Sequence, residues 1–141
     1  MKELSCGVIV FNFGQILIGH PTGHPENRWN IPKGHIEEGE IEIECAIREL
    51  YEETNILVHK DQLSELGRFN YIPKKDLHLF YTTLHKRPLN IKCNSYYSTS
   101  DPEFDDFKFI DIDDIEKYCS KNLQRVLYSA IEQIGGNEKE I

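Results

Sequence analysis

No two of the four cysteines, Cys6, Cys45, Cys93 and Cys119, form a C-x-x-C pair, and no histidine pair joins them at zinc-finger spacing. Without either pattern there is no sign of a structural zinc or a disulfide framework, and the cysteines read as reduced thiols of a cytosolic protein. Long apolar runs are missing too. The stretch from Leu4 to Ile18 is interrupted by Asn12, Gly14 and Gln15. It is too short and too polar for a signal peptide or membrane span, so a cytoplasmic protein with no membrane partner is expected. Positive charge is the scarcer sign, with 16 Lys and Arg against 24 Asp and Glu and a net charge of −8. That shortage argues against a module that coats nucleic acid, a DNA duplex above all, since such binding is dominated by basic residues on phosphates. Phosphate substrates remain open, because a bound divalent metal inverts the electrostatics of an acidic pocket.

What is present is globular: 141 residues, 39% hydrophobic and 28% charged, with seven Phe, seven Tyr and one Trp. One compact domain over 1–141 is expected, large enough to fold without covalent staples. Leu4–Phe11 and Gln15–Gly19 are β-rich runs around Asn12-Phe13-Gly14 and read as a hairpin. Pro21–Gly39, rich in proline and glycine, reads as a long surface loop. Helical periodicity begins at Glu40 and runs to Thr54, with Ile43, Ile47, Leu50 and Thr54 along one side and Asn55 as the terminator. Two more strands, Leu63–Ile72 and Leu77–Leu84, flank a turn at Pro73-Lys74-Lys75-Asp76, and Phe107–Ile110 reads as a short strand. A short helix over Asp111–Tyr118, an amphipathic helix over Leu123–Ile134 and a fraying end from Gly135 to Ile141 complete the chain. Strands interleaved with helices imply an α/β or α+β sandwich around a mixed sheet.

On a helical wheel, Glu49, Glu52 and Glu53 fall within an arc of roughly 100°, opposite the Ile43, Ile47 and Leu50 side. Such a face repels itself unless cations sit among its oxygens, and hard divalent ions prefer oxygen ligands. Taken alone, three glutamates on a helix are more often a solvated face than a metal site. The spacing carries more. Gly34, Glu40 and then Arg48-Glu49-Leu50-Tyr51-Glu52-Glu53-Thr54-Asn55-Ile56 resemble the box of the Nudix (MutT-like) family, with Asn55 in place of the final glycine.

The resemblance implies the Nudix α/β/α sandwich and a Mg²⁺- or Mn²⁺-dependent pyrophosphohydrolase that cleaves a nucleoside diphosphate linked to another moiety. It implies Glu49, Glu52, Glu53 and the Gly34 carbonyl as metal ligands, Arg48 as the partner that orients a box glutamate, and Glu40 as support for the loop-helix junction. The general base is either Glu52 or a carboxylate outside the box. Glu103 best fits the outside place, although Glu103, Asp105 and Asp106 also read as acids that solubilise a turn.

The loop Trp29-Asn-Ile-Pro-Lys-Gly-His-Ile-Glu-Glu-Gly-Glu40 resembles that of the asymmetric diadenosine tetraphosphate hydrolases. That likeness implies a dinucleoside polyphosphate substrate, with Lys33 and Lys75 on phosphates. Tyr71, Trp29 and Tyr81 are candidates to stack on a base, with packing the commoner use of each. Alternatives are removal of pyrophosphate from RNA 5′ ends, cleavage of nucleoside triphosphates or ADP-ribose, and a catalytically silent nucleotide-binding regulator. The last loses ground because every box carboxylate is kept. The sequence leaves the oligomeric state open.

Overall fold

The computed structural model describes residues 2–96 and 101–135. The expected fraying of the last residues falls, from 136 onward, outside them. Strand β1 (Glu3–Asn12) turns through Phe13 (φ 50°) and Gly14 (φ 79°) into β2 (Gln15–Pro21), a two-residue hairpin in which both loop residues are left-handed. Asn12 is not one of them. It ends β1 buried, with its side-chain amide donating to Leu84 O at 2.9 Å and its carbonyl accepting from Arg87 at 2.9 Å.

The segment from Pro21 to Gly39 is not wholly a surface loop. Trp29 and Ile31 are buried, and Lys33–His35 forms β3, antiparallel to Ser5–Gly7 of β1. Close approach of this short strand depends on Gly7, where an added Cβ would lie 2.8 Å from Lys33 Cβ and 2.9 Å from Pro32 O. Three residues leave no measurable periodicity, so β3 has no signature in the sequence.

Helix α1 spans Glu42–Thr54, two residues shorter at its start than the periodicity predicts. Strands β4 (Ser64–Ile72) and β5 (Lys75–Thr83) form a hairpin closed by Pro73 and Lys74, so Lys75 already belongs to the strand. β6 (Phe104–Asp111) is longer than expected and pairs antiparallel with β2. A single 3₁₀ turn leads into α2 (Ile115–Tyr118), and α3 (Lys121–Ile134) follows, its Ser120 cap accepting from Leu123 N.

The sheet runs β4-β5-β1-β2-β6 with β3 on β1, and it is mixed because β1 and β5 are parallel. Alternation along β1 sends Cys6, Val8 and Val10 to the α1 side, with Ala46 and Leu50, and sends Ile9 and Phe11 to the α3 side, with Leu123, Val126 and Leu127. Two apolar layers thus sandwich one sheet, and the chain is the expected α/β/α arrangement. On α1 the buried set is Cys45, Ala46, Glu49, Leu50, Glu53 and Thr54, while Ile43 and Ile47 are only half-buried. The helix is therefore rotated from the expected wheel, and two of its glutamates face the protein rather than solvent.

Candidate active site

Rotation of α1 lays Glu49 and Glu53 over β3. At Gly34 an added Cβ would stand 2.0 Å from Glu49 Cδ and 2.1 Å from both its oxygens, so only a residue without a side chain lets the helix carboxylate rest on this strand. One residue earlier, Lys33 N donates to Glu53 Oε1 at 2.8 Å. The Gly34 carbonyl accepts a weak bond from Cys45 Sγ at 3.5 Å. Burial raises the pKa of Glu49, with Arg48 opposing and the Glu52 and Glu103 carboxylates reinforcing the rise. Burial pushes Glu53 well above the usual carboxylate range, aided by the charges of Glu49 and Glu103 and opposed by Lys33. Both acids thus carry the cost of burial.

Arg48 is the hub that holds the cluster together. Its Nε and Nη2 take Glu40 in a bidentate grip at 2.7 and 2.9 Å, and Nη1 reaches Glu49 Oε1 at 2.9 Å and Glu52 Oε2 at 3.2 Å. Nη2 also donates to His35 O at 3.1 Å, which ties α1 to β3. The Arg48 bond holds the Glu40 carboxyl down at about 2. Among the described residues no three acidic, His or Cys side chains form a finished metal cage. Arg48 binds both Glu49 and Glu52. The donor chemistry still fits a hard divalent ion, since Glu49, Glu52, Glu53 and the Gly34 carbonyl offer only oxygen and two of the carboxylates are buried at the price of a raised pKa.

The predicted phosphate and base contacts also meet. Lys33 Nζ lies 5.3 Å from the centroid of the Tyr71 ring. Desolvation lowers the Lys33 pKa first of all, the Glu53 charge opposes it, and the Lys75 ammonium lowers it further. Lys74, by contrast, is exposed in the turn. Trp29 is 2% exposed and packs against His20 and Tyr118, and Tyr81 packs edge-on against Phe11, so both serve the core.

Glu103 stands at the entry to β6, half-buried, with Ser95 Oγ donating to its Oε2 at 3.0 Å. It lines a pocket of about 180 Å³ together with Lys33, Glu53, His24, Asn30 and Phe104. Asp105 and Asp106 point elsewhere: Asp105 bonds His20 at 2.6 Å, and Asp106 accepts from Phe107 N at 2.8 Å. Sequence reasoning passed over Ser95, His24 and the His20–Asp105 contact. The His20–Asp105 contact depends on how β2 and β6 align, and Ser95 reaches Glu103 from the segment after β5, so neither has a local spacing.

The NUDIX domain profile matches residues 1–130. An uncharacterized 17.7 kDa protein from the e-segB intergenic region of Enterobacteria phage T4 is 34% identical over 142 residues, covering 90% of this chain and 94% of that protein. An RNA pyrophosphohydrolase of Bartonella quintana (strain Toulouse) is 43% identical over 58 residues, which cover 36% of this chain and only 34% of that relative. In fold, the chain is similar to a C. elegans Ap4A hydrolase solved as a binary complex, with a TM-score of 0.71 and 23% identity over 94% of this chain and 98% of that one. A profile that takes in both helical layers, the sheet and the carboxylate cluster leaves one assignment: the chain belongs to the Nudix hydrolase family.

Proposed function

We propose that this chain hydrolyses a nucleoside diphosphate linked to another moiety, and that the moiety is a second nucleotide, as in diadenosine tetraphosphate. The observation that carries the reading is the convergence of Glu49 and Glu53 over Gly34 with Lys33, Lys75 and Tyr71 beside them. Negative groups for a metal and positive groups for phosphate lie next to each other.

Glu49, Glu52, Glu53 and the Gly34 carbonyl would hold Mg²⁺ or Mn²⁺. When bound, that ion neutralises the bridging phosphates and acidifies the attacking water. Arg48 keeps Glu49 and Glu52 in register with β3 through its bonds to both and to Glu40. Lys33 and Lys75 bind phosphate oxygens, and Tyr71 offers a face to a base. Glu103 takes the proton from water as the water oxygen attacks phosphorus and the bridging P–O bond breaks, the second nucleotide leaving on its terminal phosphate oxygen, with the Ser95 hydroxyl fixing the rotamer of the Glu103 carboxylate. Glu52 is the less suited base because Arg48 already engages it.

A second reading, removal of pyrophosphate from RNA 5′ ends, is favoured by the local likeness to the Bartonella quintana RNA pyrophosphohydrolase. The two are separated by a panel of diadenosine tetraphosphate, 5′-triphosphorylated RNA, nucleoside triphosphates and ADP-ribose, run with Mg²⁺ in water carrying ¹⁸O. The first reading expects the highest kcat/KM for diadenosine tetraphosphate, with label in one nucleotide product. Preference for the RNA end would put the second reading in its place.

A further inference from the structure

His20 lies just behind the pocket that Glu103 lines, at the end of β2, with a side chain 9% exposed. Both of its ring nitrogens face acceptors. Nδ1 is 2.6 Å from Asp105 Oδ1, and Nε2 is 2.8 Å from the main-chain carbonyl oxygen of His24. A carbonyl oxygen cannot donate, and neither can an ionised carboxylate, so the ring satisfies both partners only with a proton on each nitrogen. The neutral ring, in either tautomer, would leave a lone pair facing an oxygen.

The two partners belong to two segments that meet at the pocket. His24 lines it from the loop after β2, while Asp105 lies two residues beyond Glu103 and next to Phe104, which line it from the start of β6 and the residue before it. The same seam is fastened by Thr22, whose N donates to Glu103 O at 3.0 Å and whose hydroxyl donates to Pro102 O at 2.5 Å. His20 joins this seam through a titratable ring held between its two partners.

We propose that His20, as an imidazolium, is a positioning residue that bolts the His24 loop to the Glu103 strand and so sets the aim of the Glu103 carboxylate. This inference rests on the reading of Glu103 as the base. His20 touches neither the box glutamates nor Gly34 in the contacts described above. The groups around the ring are Asp105 and its neighbour Asp106 on β6, Glu26 and His24 in the loop, and Lys108 of β6, which sits over the Trp29 ring that His20 packs against. Burial is the largest single influence and lowers the His20 pKa. The Asp105 bond and charge, the His24 carbonyl and Glu26 together outweigh it, so the net shift is upward. The bolt therefore holds below the raised pKa and is lost as pH rises through it.

Long-range ¹H–¹⁵N spectra of the wild-type protein at pH 7 should show both His20 ring nitrogens protonated. A nitrogen of the unprotonated type at His20 would overturn the inference without any variant having to fold. In turnover with the substrate that the panel ranks first, H20Q and D105N should each lower kcat by roughly tenfold with little change in KM, as expected for a misaimed group. The double variant should lose no more than either single one. The ratio of wild-type to H20Q kcat should shrink as pH rises through the His20 pKa, which a merely structural role would not produce. E103Q serves as the reference. Lost turnover in E103Q with wild-type kcat in H20Q overturns the inference alone, whereas wild-type turnover in E103Q overturns the role of Glu103 and the inference with it.

Discussion

Arg48 illustrates how one side chain converts a repulsive cluster into a stable one. Its strongest grip is on Glu40, outside the helix, and that carboxyl is held near 2 against an ordinary value of 4.5. A depressed carboxylate pKa stabilises the fold above the unfolded pKa, and the contribution disappears as pH falls towards 2. With allowance for solvent screening, E40Q should cost about 2 kcal/mol at pH 7 and close to nothing near pH 2, as read from urea unfolding at the two pH values. An equal loss at both would contradict the ion pair as the cause. Gly34 is the other residue on which the cluster turns. A methyl group there would meet the Glu49 carboxylate at 2.0 Å, so G34A should lower kcat by at least about a hundredfold and weaken the apparent affinity for Mg²⁺. The spacing of Gly34 from the helix was legible in the sequence. That its lack of a Cβ seats a glutamate was not, because the contact crosses from β3 to α1.

Among the elements, α1 shows where a departure from the family pattern is compensated. Asn55 takes the left-handed conformation that glycine would, at φ 67°, and its N donates to Tyr51 O at 2.9 Å to close the helix. Its side chain adds what glycine lacks. The amide donates to Asn90 O at 3.0 Å, and its carbonyl oxygen accepts from Asn94 at 2.9 Å, which pins the segment after β5 to the helix end. N55G should therefore destabilise the protein by about 1–2 kcal/mol through two lost bonds, and N55A by more, because alanine resists the left-handed conformation. Urea unfolding reads both, and an N55G protein as stable as wild type would contradict the assignment. Existence and type were legible for α1, α3 and the β1–β2 and β4–β5 hairpins, which carry strong periodicity or turn residues. The orientation of α1 was not. Its wheel places Ile43 and Ile47 inside, but packing over β3 buries Cys45, Glu49 and Glu53 instead, a tertiary preference that overrides local pattern.

For the molecule as a whole, charge is sorted along the chain. Residues 37–53 hold eight acids and one base, and residues 101–116 hold the same, so the remainder is basic and includes Lys33 and Lys75. Folding brings Glu53 of the first acidic segment, Glu103 of the second and Lys33 to one pocket, with Lys75 near enough for its charge to act on Lys33. The two acidic segments behind the net charge of −8 thus supply the site's carboxylates, Glu49, Glu52, Glu53 and Glu103, which a divalent ion would compensate. If the buried pair Glu49 and Glu53 drives metal-dependent cleavage of a pyrophosphate bond, the decisive measurement is the turnover of E53Q with Mg²⁺, followed alongside its thermal unfolding. Removing the charge of Glu53 while keeping its shape should lower kcat by at least about a thousandfold and leave the unfolding temperature equal to or above that of wild type, since a buried charge is removed. An E53Q protein that retains wild-type Mg²⁺-dependent turnover would remove Glu53 from the metal site.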